Sequence, residues 1–298
     1  MAPCLDVVIV SYRCREHVLS CLSSLRRHPA RSDAMQTWLV DNASGDGTTQ
    51  LVAVEFPDVE LLALERNVGF SAANNLAIAR GSADYVLALN PDTEVTEGAL
   101  DRLLGLMEGH PEVAIAGPRL VRADGTLDHA AKRSFPTIRS AVGHFSGIGR
   151  RADARGSLAA YRAPSTDEGP VDAVNGACML IRRSALEEVG MFDEGFWMYM
   201  EDLDLCYRLA RASWVTWYDP VATVLHVKGG SSGARRGVRL NYAFHYGMFR
   251  FYRKHYAPRR HTLVNVGVYL GIGTKLVGSV ARNALLRRLP ARSLSAST

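Results

Sequence analysis

Five short apolar runs alternate with helix-like segments through the first 120 residues, and this alternation narrows the fold more than any other feature. The runs lie at residues 5–10, 37–40, 59–64, 85–89 and 113–116. Segments with helical character fall between them, at 16–27, 47–55, 71–80 and 97–109. A strand that is apolar throughout must be covered on both faces. Such strands separated by helices predict an α/β fold with a mostly parallel sheet flanked by helices. Sheets of this kind bind ligands outside the carboxyl ends of their strands. The polar residues that follow the runs are Ser11-Tyr12, Asp41-Asn42 and Asn90-Pro91-Asp92, and the pattern predicts that they share one rim.

Beyond residue 120 the pattern loosens. Residues 121–170 are rich in Arg, Gly and Ser and suggest an irregular loop region. A strand is expected at 171–181, and Ser184-Ala185-Leu186-Glu187 fits a capping box that would open a short helix. A helix at 199–211 and strands at 214–218 and 221–227 follow. Gly229-Gly230-Ser231-Ser232-Gly233 suits a flexible connector. A basic, aromatic helix is expected at 239–256, stopping before Pro258, and a weakly apolar segment at 262–281 precedes a basic end. The expected division is a catalytic domain at 1–238 and a C-terminal helical region at 239–298.

Charge divides the chain somewhat earlier, after Asp219. The segment from Pro220 to Thr298 holds fourteen of the 35 Lys and Arg and none of the 30 Asp and Glu. An acidic body and a basic tail suggest a metal-dependent site held against an anionic surface. The five cysteines have no CxxC spacing, which argues against a zinc knuckle or a disulfide scaffold. No signal peptide is expected, because the first apolar run lacks a basic flank and a cleavage site.

Several clusters carry chemistry, each with a plainer explanation beside it. Asp92, fixed by Pro91 at a strand end, could hold one face of Mg²⁺ or Mn²⁺ with substrate phosphate; taken alone, an ordinary N-P-D turn explains it better. Asp41 could accept the imide N–H of a uracil or thymine ring, while Ser44 or Asp46 caps a helix. In Asn67-Val68-Gly69-Phe70-Ser71, Gly69 permits close approach of backbone to a ligand, and Ser71 opens a helix whose N-terminus favours sugar or phosphate oxygens; a simple strand-to-helix turn fits equally. Glu201-Asp202-Leu203-Asp204 lies near a helix start, where acids complement the helix dipole. Asp204 would pair with Arg208 at i+4, and a neighbouring acid facing aromatic walls could serve as a general base. His226 ends a strand; a lone histidine there is more often structural unless a metal is argued independently.

Together these stretches resemble the family 2 inverting glycosyltransferases with the GT-A fold, a Rossmann-like architecture. The resemblance rests on the ordered set Val7-Val8-Ile9-Val10-Ser11-Tyr12, Asp41-Asn42-Ala43-Ser44, Asn67-Val68-Gly69-Phe70, Leu89-Asn90-Pro91-Asp92-Thr93, Asn175-Gly176-Ala177-Cys178-Met179, Phe192-Asp193-Glu194 and Glu201-Asp202-Leu203-Asp204-Leu205. It covers about residues 5–256, and the subgroup it is most similar to is the rhamnosyltransferases. The resemblance implies that Ser11, Tyr12 and Asp41 hold the nucleoside and that Asn67 and Gly69 line the nucleotide-sugar site. Asn90-Pro91-Asp92 stands in the place of the family's DxD motif, with Asp92 the metal ligand and Asn90 departing from the first Asp. His226 matches a histidine that completes the metal site, and Asp202 matches the catalytic base. Asn175, Gly176 and Ala177, with Glu201 beside the base, would border the acceptor. The implied donor is dTDP-rhamnose and the implied cofactor Mg²⁺ or Mn²⁺. The implied acceptor is a polyprenyl-diphosphate-linked N-acetylglucosamine in the cell-wall linker between peptidoglycan and arabinogalactan.

A lipid-linked acceptor accounts for the tail. Tyr242, Phe244, Tyr246, Phe249, Phe251, Tyr252 and Tyr256 interleave with Arg239, Arg250, Arg253 and Lys254, a pattern suited to an anionic membrane surface. The expected location is peripheral, at the cytoplasmic face of the plasma membrane, with 262–281 lying in the interface because Asn265, Lys275 and its glycines interrupt it. Self-association into a homo-oligomer stays open. The first apolar run is followed by Ser11-Tyr12-Arg13-Cys14-Arg15-Glu16, so the GxGxxG of a dinucleotide dehydrogenase is absent, as is the GxxxxGK[ST] of a P-loop enzyme. A nucleic-acid-binding module could use the tail but leaves the acidic rim motifs unexplained, so no nucleic-acid partner is expected. Another nucleotide sugar is the alternative within the glycosyltransferase class.

Overall fold

In a computed structural model the chain is described over residues 4–31, 34–136, 167–227 and 237–288, with side chains to residue 283. It divides into two compact units, Met1–Arg235 and Arg236–Thr298.

The first unit is built on one sheet. Strand β1 (Cys4–Ser11) lies at the centre of a parallel half, paired on one side with β2 (Ala34–Asp41) and on the other with β4 (Tyr85–Leu89), while β3 (Val59–Ala63) extends β2. These are the apolar runs of the sequence, and they pair in parallel because helices return the chain between them. Helix α1 (Arg15–Arg27) buries Val18, Cys21, Leu22 and Leu25, the i, i+3, i+4, i+7 stripe that a helix lying on a sheet requires. Helices α2 (Thr48–Glu55), α3 (Phe70–Ile78) and α4 (Ala99–Gly109) make the other returns, and α4 buries Leu100, Leu103, Leu104 and Met107 at the same spacing. Ile9, Leu39, Leu87 and Ile115 are fully buried in the sheet centre. Each such burial stabilises by about 1.5–3 kcal/mol.

The other half of the sheet is mixed. Strand β10 (Cys178–Arg182) runs antiparallel to both β4 and β6 (Val113–Val121), and β11 (Val215–His226) returns parallel to β6. The short β5 (Thr93–Val95) and β8 (Gly169–Val171) both pair antiparallel with β11. A second, two-stranded ladder joins β7 (Lys132–Arg133) to β9 (Ala173–Val174).

Four local expectations change. The run at 171–181 is not one strand: it breaks at Asp172 and again at Asn175-Gly176-Ala177, where the Gly176 N–H turns to donate to Asp202. The two strands expected at 214–218 and 221–227 are one strand, β11, which crosses the polar Asp219-Pro220 step with a register irregularity against β6. Ser184 and Glu187 form no capping box. Helix α5 (Arg183–Val189) starts two residues earlier than that box would set it, with Arg182 at its N-cap and no side-chain cap, because Arg183 reaches back to Asp6 and the Ala83 carbonyl oxygen. Helix α6 (Glu201–Arg211) begins two residues later than expected, after Tyr199 and Met200 take positive φ angles of 70° and 73°. The expected connector at 229–233, and most of the irregular stretch at 121–170, lie outside the described residues.

The second unit is a helical hairpin. Helix α7 (Val238–His255) and a 3₁₀ turn at Ala257–Arg259 precede α8 (Thr262–Arg288). The hairpin closes through Asn241 Nδ2 donating to Ser279 Oγ at 2.6 Å and Tyr252 Oη donating to Asn265 Oδ1 at 2.8 Å. Tyr269 packs between Phe249 and Tyr252. The segment 262–281, expected as a weakly apolar stretch, is thus part of a continuous 27-residue helix. Over Thr262–Asn283 its length and apolar composition suffice to cross a bilayer, and only 6% of its most apolar window is buried.

Candidate active site

The parallel register puts Ser11 beside Asp41 at the carboxyl ends of β1 and β2. Ser11 Oγ donates to Asp41 Oδ1 at 3.0 Å, and the Ser44 N–H donates to Oδ2 at 3.0 Å, so this buried carboxylate is rigidly aimed. Tyr12 is half-buried and lies under the Arg13 guanidinium. Asn42 ties this end to the next loop, accepting from the Val68 N–H and donating to the Gly69 carbonyl oxygen.

Gly69 and Ser71 serve the protein rather than an open ligand face. Gly69 has φ of +95°, and a Cβ there would stand 2.5 Å from the Trp197 ring and carbonyl oxygen. Its N–H donates to Asn67 Oδ1. The Phe70 N–H donates to the Trp197 carbonyl oxygen at 2.8 Å, and Ser71 Oγ to the Phe196 carbonyl oxygen at 2.7 Å. The close approach read from the glycine is real, but its occupant is the 196–197 backbone. At the N-terminus of α3 the Phe70 N–H and the Ser71 hydroxyl are thus both engaged by the 196–197 backbone. Phe192-Asp193-Glu194 is held the same way, with Asn75 bonded to the Phe192 backbone and to Glu194.

Asp92 and His226 come together through β5. Pairing of Thr93 with His226 sets the histidine beside the carboxylate, and the Val227 N–H closes the turn on the Asp92 carbonyl oxygen at 2.8 Å. Nε2 of His226 is 3.6 Å from Asp92 Oδ1, and both residues are buried. On its other side, Nδ1 of His226 meets Asp128 Oδ2 at 3.1 Å. Burial alone would lower the imidazole pKa; the hydrogen bonds and charges of Asp128 and Asp92 outweigh it and raise it to about 9. A carboxylate beside an imidazole whose far nitrogen is held by a second carboxylate is a donor set that fits a divalent cation. Among the described residues no group of three His, Cys, Asp or Glu gathers as ligands. A cation at this pair would therefore need substrate phosphate or water to complete its shell, as Mg²⁺ commonly does. The Asn90 backbone is fixed, its N–H donating to the Ala177 carbonyl oxygen at 2.8 Å.

The turn 175–177 joins this pair to the acidic helix. Asn175 is bonded to the 130–131 backbone through both its N–H and its side-chain amide, a few residues beyond Asp128. The Gly176 N–H donates to Asp202 Oδ2 at 2.9 Å, and a Cβ on Gly176 would press on Asp202 at 3.3 Å. Asp202 Oδ1 accepts from the Leu203 N–H, while Oδ2 also receives the Arg133 guanidinium. Asp204 pairs with Arg208 at 2.8 Å, as the i+4 spacing predicts. Glu201 is buried, and its Oε2 has no hydrogen-bond partner among the described residues. Burial first, then the Asp202 charge, push its carboxyl pKa up to about 8.

The sequence-predicted residues thus fall into two adjoining sets, Ser11-Tyr12-Asp41 with the 67–69 loop, and Asn90, Asp92, His226, the 175–177 turn and Asp202. Asp128 and Arg133 were not anticipated. Both lie in the irregular stretch after residue 120, where no periodicity marks them, and a lone Asp in such a stretch reads as surface.

Residues 6–190 match the family described as Glycosyl transferase family 2, and the chain belongs to that family. It is a glycosyltransferase. It is 36% identical over 246 residues to the N-acetylglucosaminyl-diphospho-decaprenol L-rhamnosyltransferase of Mycobacterium tuberculosis, covering 78% of this chain and 79% of that protein. Its fold is similar to that of GalNAc-T7, solved with UDP, GalNAc and Mn²⁺ (TM-score 0.60, 14% identity); the match covers 85% of this chain and 48%, about half, of GalNAc-T7. It is also similar to the mannosyltransferase PcManGT from Pyrobaculum calidifontis, solved with GDP-Man and Mn²⁺ (TM-score 0.58, 17% identity, covering 99% of this chain and 79% of that one). The fold is therefore of the GT-A type. Glu201, Asp202 and His226 lie beyond the residues matched by the family.

Proposed function

We propose that this enzyme transfers L-rhamnose from dTDP-rhamnose, with inversion, to a polyprenyl-diphosphate-linked N-acetylglucosamine in cell-wall linker assembly. The observation that carries this reading is the 36% identity, over most of both chains, to a rhamnosyltransferase named for that acceptor type. Ser11, Tyr12 and Asp41 bind the nucleoside, and the backbone-locked Asp41 presents acceptor oxygens to the base N–H. Asp92 and His226 would hold one Mg²⁺ or Mn²⁺ at the donor diphosphate. When bound, that cation supplies charge neutralisation for the departing diphosphate, so no separate general acid is needed.

Asp202 is the general base. It takes the proton from an acceptor hydroxyl as that oxygen forms its bond to the anomeric carbon. The bond from that carbon to the phosphate oxygen breaks, and dTDP leaves with the electron pair. Gly176 steers the carboxylate through its N–H, and the 175–177 turn borders the acceptor sugar. A single displacement of this kind inverts the anomeric centre, as at inverting glycosidases. The second unit keeps the enzyme at the membrane surface where the lipid acceptor resides.

The test is a turnover screen with dTDP-rhamnose, UDP-galactose and UDP-N-acetylglucosamine against a diphosphate-linked N-acetylglucosamine lipid, with and without EDTA. Rhamnose transfer that EDTA abolishes and Mn²⁺ restores is the expected result. Preference for either UDP-sugar would overturn the donor assignment, and undiminished turnover in EDTA would overturn the metal.

A further inference from the structure

Asp202 can act as a base only if one of its oxygens can meet the acceptor hydroxyl. Oδ1 is turned into its own helix by the Leu203 N–H. Oδ2 faces the acceptor turn, and there it already carries two donors, the Gly176 N–H and the Arg133 guanidinium. The backbone donor is fixed by the turn. Arg133 is the one that can leave. It comes from β7, a strand of two residues that pairs, among the described residues, with the equally short β9, and it also donates to the Val174 carbonyl oxygen at 3.3 Å. Neither side of the ion pair is open to solvent, with Arg133 15% and Asp202 9% exposed in their side chains. Water alone is a poor agent for separating such a pair.

A diphosphate is a strong one. It carries more negative charge than a carboxylate, and a guanidinium engages phosphate oxygens in bidentate fashion. We infer that Arg133 is a binding residue for the diphosphate of the lipid-linked acceptor, and that its pairing with Asp202 is an autoinhibitory contact which the acceptor's own diphosphate releases. The inference rests on the reading of Asp202 as base and of the acceptor as a diphosphate-linked sugar. The diphosphate hangs on the same sugar ring whose hydroxyl must meet Asp202. An arginine drawn to one would therefore vacate the other. The base becomes available when a correct acceptor is seated, and water entering with donor alone finds Oδ2 occupied. The contact thereby suppresses futile donor hydrolysis, in which water would replace the acceptor hydroxyl as nucleophile and give free sugar and the nucleoside diphosphate.

The experiment compares wild type, Arg133→Gln and Arg133→Lys, each checked for native circular dichroism and melting temperature. Two acceptors carry the same sugar, one on a lipid diphosphate and one on an uncharged alkyl group. Release of nucleoside diphosphate is also followed without acceptor, and with a short isoprenyl diphosphate that has no sugar. Wild type should favour the diphosphate acceptor in KM, and Arg133→Gln should lose about tenfold to a hundredfold of that preference, the worth of a charge-assisted contact. Arg133→Lys should retain part of it. Donor hydrolysis without acceptor should rise severalfold in Arg133→Gln. The isoprenyl diphosphate should stimulate hydrolysis by wild type and not by Arg133→Gln. An unchanged KM preference with unchanged hydrolysis in a folded Arg133→Gln enzyme would overturn the role of Arg133 and leave the function standing. Failure of wild type to use any diphosphate-linked acceptor would overturn both. If Arg133→Gln does not fold, loss of the isoprenyl diphosphate stimulation in Arg133→Lys supports the inference, and full stimulation there refutes it.

Discussion

His226 stands between two carboxylates, with Nδ1 3.1 Å from Asp128 Oδ2 and Nε2 3.6 Å from Asp92 Oδ1. Asp128 is itself held by the Ala130 N–H donating to its Oδ1 at 3.1 Å. The pairing fixes the ring plane and leaves Nε2 for the donor side. On the proposed metal reading of Asp92 and His226, Asp128 is a positioning residue for that pair. Partners of this kind, when removed, typically weaken metal affinity about tenfold to a hundredfold. Asp128→Ala should do so, and Asp128→Asn, which keeps an acceptor oxygen but no charge, should cost less. Mn²⁺ titration followed by electron paramagnetic resonance, in the presence of dTDP, reads this apart from activity. Wild-type affinity in both variants would remove Asp128 from the site.

Asp202→Asn keeps the shape of the side chain but cannot take a proton. Turnover should fall by about two to four orders of magnitude, the range for loss of a general base. Donor affinity should change little, because the Ser11–Asp41 end of the site is untouched. Single-turnover kinetics with a donor-binding measurement separate the two. If Asp202→Asn stays active while Glu201→Gln is dead, the base is the other carboxylate of the pair.

Glu201 makes a prediction about stability. Its folded-state pKa is raised from 4.5 to about 8 by burial and by Asp202. The native state then holds a proton that the unfolded chain releases, so stability falls as pH rises from about 4.5 to about 8 and is flat beyond. Glu201→Gln supplies a neutral group of the same shape. It should leave stability near pH 4.5 almost unchanged and raise it at pH 8.5 by an amount on the order of a few kcal/mol. Urea unfolding at the two pH values checks this. Equal effects at both would show that folding does not raise the Glu201 pKa.

The parallel half of the sheet was legible because its strands are apolar on both faces. Register did the rest, carrying Ser11 and Asp41 to one rim. What was not legible is what depends on antiparallel returns. Nothing in the local pattern says that β5 folds back on β11, yet that pairing brings His226 to Asp92. At Gly69 the sequence signalled a close approach, and the structure shows the Trp197 ring and backbone making it, which a glycine alone does not reveal. The capping box failed because Arg183 has buried partners, Asp6 among them, that set where the helix begins. Asp128 and Arg133 act through contacts 98 and 69 residues away along the chain, and no spacing rule reaches that far.

Leu263, Leu270 and Val277 are seven residues apart on α8 and are 75%, 64% and 68% exposed. Residues at that spacing drift only about 20° per repeat, so they form one stripe along the helix. Arg253, Lys254, Arg259 and Arg260 lie in and just after the last turn of α7, with no carboxylate in the unit to offset them. An apolar stripe and a basic cluster act on a bilayer in different ways. Each basic residue near an anionic surface contributes about 1 kcal/mol, and that part is screened by salt. Insertion of the stripe is not. Asn265 and Lys275 break the apolar run of α8 with polar groups, which favours interfacial binding over a span. The full chain should bind anionic vesicles at low salt, retain part of that binding at high salt, and leave membranes on alkaline carbonate extraction. Changing Leu263, Leu270 and Val277 together to Gln should remove the salt-resistant part and lower activity on a long-chain lipid acceptor more than on a short-chain one. Vesicle binding by the triple variant equal to wild type across the salt titration would exclude the stripe as the membrane contact, and retention after carbonate would show that α8 spans the bilayer.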